Sequence, residues 1–159
     1  MLKKIIDNFE LFKPQAILFD TDNTLYDYKY ANIKAEQASQ KKAYELLGIS
    51  KEEFFKIYKI SRTQIKQRLG TTASSHSRLL YFQRMIEILG FRAKILNALD
   101  LEQTFWRTFL GNAPLFPGVM DCLQFLKYQQ IPIAIVTDLT SQIQLRKLSY
   151  FGLEDTFDA

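Results

Sequence analysis

Two aspartates stand two residues apart directly after a short apolar run: Ala16-Ile17-Leu18-Phe19 leads into Asp20-Thr21-Asp22-Asn23-Thr24. A continuous apolar run reads as a parallel-sheet strand covered on both faces. Ligands of open α/β sheets bind beyond the carboxyl ends of such strands. Asp20 would be held rigidly at the strand end, and Asp22 could reach the same ligand from another angle. A divalent cation makes two close negative charges tolerable, and hard carboxylate oxygens suit Mg²⁺. An Asx-rich turn capping the strand is the plainer alternative. A second run, Ile131-Pro132-Ile133-Ala134-Ile135-Val136, ends at Thr137-Asp138 and puts a hydroxyl at the same kind of position.

The elements that must position these residues are mostly helical. Residues 30–47 are rich in Ala, Lys, Glu and Gln and stop at Gly48. Ser50 to Glu53 fits a capping box, followed by Phe54, Ile57, Tyr58, Ile65 and Leu69 on one face up to Gly70. Leu79, Phe82, Ile86 and Leu89 make a third stripe ending at Gly90. Leu96, Leu99, Trp106 and Leu110 make a fourth ending at Gly111. Glycines suited to the left-handed position stop each helix, and the four read as a bundle. Pro117-Gly118 opens a helix carrying Val119, Cys122, Leu123 and Leu126, with Cys122 expected as a small buried hydrophobe. A last helix, about 141–150, runs to Gly152, and Phe157-Asp158 looks like the start of a third strand. The expected fold class is α/β: a Rossmann-like parallel sheet core, 1–27 plus 113–159, interrupted by a helical bundle at 28–112.

Residue counts exclude several chemistries. With one histidine (His76) and one cysteine (Cys122), neither a multi-histidine metal site nor an internal disulfide can form. The six glycines are too far apart for GxGxxG or GxxxxGK, so any phosphate is bound without a glycine-rich loop. The N-terminal stretch MLKKIIDNFELFKP carries Asp7 and Glu10 in its apolar run and does not read as a signal peptide. No run is long enough for a membrane span, so a cytoplasmic protein is expected.

Charge divides along the same boundary. Residues 28–112 hold 15 Lys+Arg against 7 Asp+Glu, a net +8, and the remainder holds 6 against 10, a net −4. A basic helical module facing an acidic core suggests an anionic ligand between them. No RNA- or DNA-binding motif accompanies the charge, so nucleic acid is not the expected partner. The polar segment Gly70 to Arg78 joins two helices of the insertion, with Ser75 or Ser77 suited to N-cap the second.

The run followed by Asp20-Thr-Asp22-Asn23-Thr-Leu-Tyr-Asp27 resembles the first motif of the haloacid dehalogenase superfamily, which consists mostly of phosphatases. Ile133–Asp138 is similar to the second motif, an apolar strand ending in Thr or Ser. Phe116-Pro117-Gly118-Val119 is similar to the segment that returns the chain from cap to core. Gln142–Leu148 with Phe151-Gly152-Leu153 is similar to the family's stretch just past the second motif. The resemblance implies that Asp20 is the nucleophile and forms an aspartyl-phosphate, with Asp22 as general acid and then base. It implies that Asp20 and Asp22 hold Mg²⁺, and that Asn23, Thr137 and Asp138 bind phosphate. His76 and Arg78 in the insertion would contact the leaving group. Tyr26, Tyr28 and Tyr30 fall where the family has a flap between core and cap. Asp22 marks phosphotransfer members, so a phosphoric monoester hydrolase is expected, acting on a small phosphorylated metabolite such as a sugar phosphate or nucleotide. The same pair of aspartates also serves phosphomutases.

One departure matters. The family's third-motif lysine and fourth-motif acidic pair lie beyond the position of Ala159. Removing 28–112 leaves a core too short for the family's sheet, so the chain reads as truncated, with little or no turnover expected. Lys147 reads as a solvated helix residue and a poor substitute. The alternative is a non-catalytic domain acting in binding, or in association between copies through an exposed sheet edge.

Overall fold

The computed structural model describes residues 14–92 and 94–159. The N-terminal stretch read against a signal peptide, apart from Pro14, lies outside these residues. In chain order they form β1 (Ile17–Phe19), α1 (Tyr28–Leu47), α2 (Lys51–Leu69), a 3₁₀ turn (Ala73–His76), α3 (Arg78–Ile88), α4 (Ile95–Gly111), α5 (Val119–Tyr128), β2 (Ile133–Ile135) and α6 (Ser141–Phe151). This is a small parallel sheet with a helical bundle inserted between its two strands.

β1 and β2 pair in parallel with Phe19 opposite Ile135, so both strands end at one edge of the sheet. Beyond the pairing, Val136 N–H donates to Phe19 C=O at 2.9 Å, which holds Asp20 and Thr137 side by side. On the far side of β2, Asp158 N–H donates to Ile133 C=O and Ile135 N–H to Ala159 C=O, at 2.8 and 2.9 Å. The segment expected to begin a third strand thus lies along β2 without forming a regular strand. The expectation that both strands are covered on both faces fails for β1. Leu18 is 68% exposed because no described residue packs over that face or pairs with the outer edge of β1.

In the bundle, α1 packs chiefly on α4, and α2 on α3. The contact face of α1 is Ala31, Ala35, Ser39 and Ala43, a four-residue period of small side chains, all buried. An aromatic cluster runs through the bundle: Phe54 stacks on Tyr58, which meets Phe82, which reaches Phe105, which in turn stacks on Phe109. Asp27 caps α1 and Ser50 caps α2 through side-chain oxygens, so the Ser50 cap is as read.

Three helix details differ from expectation. The buried face of α4 is Ala98, Leu101, Phe105 and Phe109, with Trp106 beside it, whereas Leu96 is 79% and Leu99 36% exposed. The aromatics of the second half set the helix's phase and turn the first leucines outward. Gly48, Gly90 and Gly152 take positive φ just past their helices, but Gly111 is the last residue of α4 and does not. Cys122 is exposed, because α5 buries Leu123 and Leu126 instead, and it lines an open cavity with Phe19 and Thr24.

The two segments joining bundle and sheet brace each other. Phe116 N–H donates to Leu25 C=O at 2.8 Å, and Tyr26 bridges Leu115. Fully buried Tyr26 wedges between Phe109 of the bundle and Phe151 of α6.

Candidate active site

The loop after β1 is a folded turn. Thr24 and Leu25 N–H groups donate to Thr21 C=O, and Asn23 takes a left-handed φ of 62°. Asn tolerates that conformation better than most residues. Its side-chain oxygen accepts from Tyr28 N–H at 3.1 Å, tying the turn to the start of α1. In the second loop, Thr137 Oγ1 accepts from Leu139 N–H at 3.2 Å.

The two loops form one wall of a cleft of about 320 Å³ with Asp20, Asp22, Asn23, Thr137, Asp138 and Leu139. The facing wall is helical: Tyr28, Arg62, Lys66, His76 and Arg78. All seven residues singled out from the sequence, including His76 and Arg78, therefore line one cavity. Ser77 caps α3 by accepting from Leu80 N–H, so the linker both starts a helix and carries its neighbours to the cleft. Of the tyrosine cluster, only Tyr28 lines the cleft. Tyr26 is buried beneath it, and Tyr30 is half-exposed beside Lys34.

Lys147 corrects the sequence reading. It is 1% exposed rather than solvated, and its ammonium lies 2.6 Å from Asp22 Oδ1. The rings of Tyr26, Phe109 and Trp106 surround it at 5.5 to 5.9 Å. Burial pulls its pKa below the ordinary lysine value, and the Asp22 charge opposes that pull. The Tyr26 hydroxyl donates to the same Asp22 oxygen. Burial, then the Asp22 charge, push the Tyr26 pKa far up, so it stays a donor. Asp22 is thus fixed through Oδ1 by a cation and a phenol, with neither bond on Oδ2.

Arg78 is nearly enclosed, at 7% exposure. It donates to Tyr28 Oη at 2.5 Å, the His76 carbonyl at 2.8 Å and Asn32 Oδ1 at 3.4 Å. Burial first, then Lys66 and Arg78, lower the His76 pKa below 6.5, with Asp138 opposing them.

Asp20 and Asp22 offer hard oxygens of the kind Mg²⁺ prefers. That ion needs only one or two carboxylates, its remaining positions going to water and substrate phosphate. This donor chemistry fits the ion, which Asp20 and Asp22 would hold. Among the described residues no three His, Cys, Asp or Glu side chains gather into a metal cluster.

Arg62 and Lys66 escaped the sequence reading. The signal was present: Lys59, Arg62 and Lys66 stack like charges at i, i+3 and i+7, with no acidic residue spaced to relieve them. Nothing local marked Lys147, whose partner is 125 residues away.

Residues 14–159 match the haloacid dehalogenase-like hydrolase family. The chain is also similar to the ribulose-1,5-bisphosphate 5-phosphatase of Halopiger xanaduensis, at 39% identity over 144 residues, covering 90% of the chain and 60% of that protein. Among solved structures, the HAD phosphatase of Thermococcus onnurineus aligns with TM-score 0.57 at 23% identity, over 91% of the chain and 60% of its own length. A 2-haloacid dehalogenase of Pseudomonas syringae pv. Tomato DC3000 aligns with TM-score 0.61 at 20% identity, over 91% and 61%. The chain belongs to the haloacid dehalogenase-like hydrolases, and it spans about three fifths of the length of these relatives.

Proposed function

We propose that this protein is a phosphatase of a small phosphorylated metabolite, with Asp20 as nucleophile. The carrying observation is the cleft in which Asp20, Asp22 and Thr137 meet at the carboxyl edge of the sheet, facing a basic wall. The 39%-identical relative named as a sugar bisphosphate phosphatase favours a sugar phosphate over a nucleotide.

In this reading an Asp20 carboxylate oxygen attacks phosphorus, a new O–P bond forms, and the ester O–P bond breaks. Thr137 and main-chain N–H groups of the two loops hold the phosphoryl oxygens. The departing alkoxide takes a proton from Asp22, which later accepts one from the water that cleaves the aspartyl-phosphate. With Oδ1 committed to Lys147 and Tyr26, Oδ2 is the oxygen that exchanges protons. Mg²⁺, when bound between Asp20 and the phosphoryl group, would neutralise charge there. Lys147 positions Asp22 and does not touch the substrate.

The test is phosphate release from a panel of sugar phosphates with Mg²⁺ by this chain, from which little turnover is expected, and by a form extended to carry the family's later core segments, together with acid-quenched mass spectrometry of the peptide containing Asp20. The expected result is a phosphoryl group on that peptide and loss of turnover by roughly 10³-fold or more in Asp20→Asn. A protein that releases phosphate equally well with asparagine at that position would overturn the assignment.

A further inference from the structure

No carboxylate lies within ion-pair distance of the cations on the helical wall among the described residues, and Glu36 acts on Arg78 only at longer range, from behind Asn32. Among the described residues, ion pairs use Lys42, Arg84, Arg146 and Lys147, and none uses Arg62, Lys66 or Arg78. Arg78 is the telling case. It is more than nine-tenths buried, its three hydrogen bonds go to neutral oxygens, and its Nε has no acceptor at all. A buried guanidinium with an unsatisfied donor is costly unless something supplies charge and acceptors. Arg62 and Lys66, one helical turn apart on α2, face the same space. Burial and the nearness of Arg62 and Arg78 pull the Lys66 pKa down, which places the three charges in one another's field.

The reacting phosphoryl group belongs on the opposite wall, at Asp20 and Thr137, so these cations are not needed for it. We infer that the substrate carries a second phosphate, remote from the scissile ester, and that Arg62, Lys66 and Arg78 form its site. Three converging cations match a group of nearly two negative charges better than a single carboxylate. A cleft of about 320 Å³ is of the size that takes a small ligand. The inference rests on the phosphatase reading for the place of the first phosphate.

Binding tests it without turnover. Trp106 is the single tryptophan, and its ring lies 5.8 Å from the Arg78 guanidinium, so its fluorescence reports on that group. Asp20→Asn protein keeps esters intact while a pentose bisphosphate, the matching monophosphates and inorganic phosphate are titrated by fluorescence and calorimetry. We expect the bisphosphate to bind about 30-fold or more tightly than either monophosphate. Adding Arg62→Gln and Lys66→Gln, both solvent-accessible positions, should cut that preference to about 3-fold. Equal affinities for mono- and bisphosphate, or a preference that survives the double substitution, would overturn the second site. Phosphate release by unsubstituted protein is scored separately. Hydrolysis without preference sinks this inference alone, whereas preferential binding with no hydrolysis of any ester, even by a form extended to carry the family's later core segments, sinks the phosphatase reading and leaves the site standing.

Discussion

The ammonium of Lys147 is enclosed by three aromatic rings and ends on Asp22. Desolvation costs it several kcal/mol, by order of magnitude, and the carboxylate and ring faces offset this. Methionine would fill the same space without a charge to desolvate, and half-buried Asp22 could rehydrate. Lys147→Met should therefore hold its melting midpoint within a few degrees while turnover falls roughly 10²-fold, because Asp22 keeps only the Tyr26 hydroxyl of its two anchors. Lys147→Arg should not restore activity, since a planar fork does not fit where an ammonium sat. Paired circular dichroism melts and steady-state rates check this; equal loss of stability and rate would mean a packing role only. His76 reports on the facing wall. Its folded pKa lies below the unfolded value of 6.5 because burial, then Lys66, Arg78 and Arg62, disfavour its charged form, against the pull of Asp138. Above 6.5 the imidazole is neutral in both states and costs nothing. As pH falls below 6.5 the unfolded chain binds the proton first, so stability drops until the folded pKa is passed. A proton NMR titration of this single imidazole should give a midpoint below 6.5, and Lys66→Met should move it upward. A midpoint unmoved by that change would separate His76 from the basic wall.

Helix α1 shows where reading elements from sequence works and where it stops. Its extent was legible, because Ala, Lys, Glu and Gln favour helix and Gly48 supplies the left-handed stop. Its buried face was not, since alanine makes no apolar stripe that stands out from its surroundings. Only the approach of α4 shows that Ala31, Ala35, Ser39 and Ala43 are the contact. Small side chains there allow two helices to lie close, so Ala35→Leu should overpack the seam, costing about 1–3 kcal/mol. A melting midpoint lower by several degrees, with far-UV helix signal retained, is the expected outcome; an unchanged midpoint would mean the seam has slack. The strand ends were legible for a different reason: apolar run, then Asp20 or Thr137, is a local pattern with a fixed geometric meaning in parallel sheets. The phase of α4 and the burial of Lys147 depend on partners far away in sequence, so no local pattern encodes them.

Over the whole molecule, charge is sorted by position. Residues 28–112 carry net +8 and the rest of the chain net −4, and the cleft is lined from both, by Arg62, Lys66 and Arg78 on one side and Asp20, Asp22 and Asp138 on the other. Opposed fields of this kind draw the two walls together and draw a small anion into the gap. Both effects travel through solvent at the mouth of the cleft and are screened by salt, since the Debye length shrinks from about 10 Å at 0.1 M to about 3 Å at 1 M. Contacts at Arg78, in contrast, lie in a nearly closed space and should feel salt weakly. Raising ionic strength over that range should therefore lower kcat/KM for a sugar phosphate by roughly tenfold, mostly through KM, while kcat stays within about twofold. The slope should flatten in Arg62→Gln/Lys66→Gln, whose charges are the solvent-accessible part of the wall, and persist in changes to lysines on the outer bundle surface such as Lys56→Gln. Steady-state kinetics at matched Mg²⁺ across a chloride series would decide it. A salt response identical in all three proteins would assign the effect to the fold's overall charge and remove the basic wall from substrate capture.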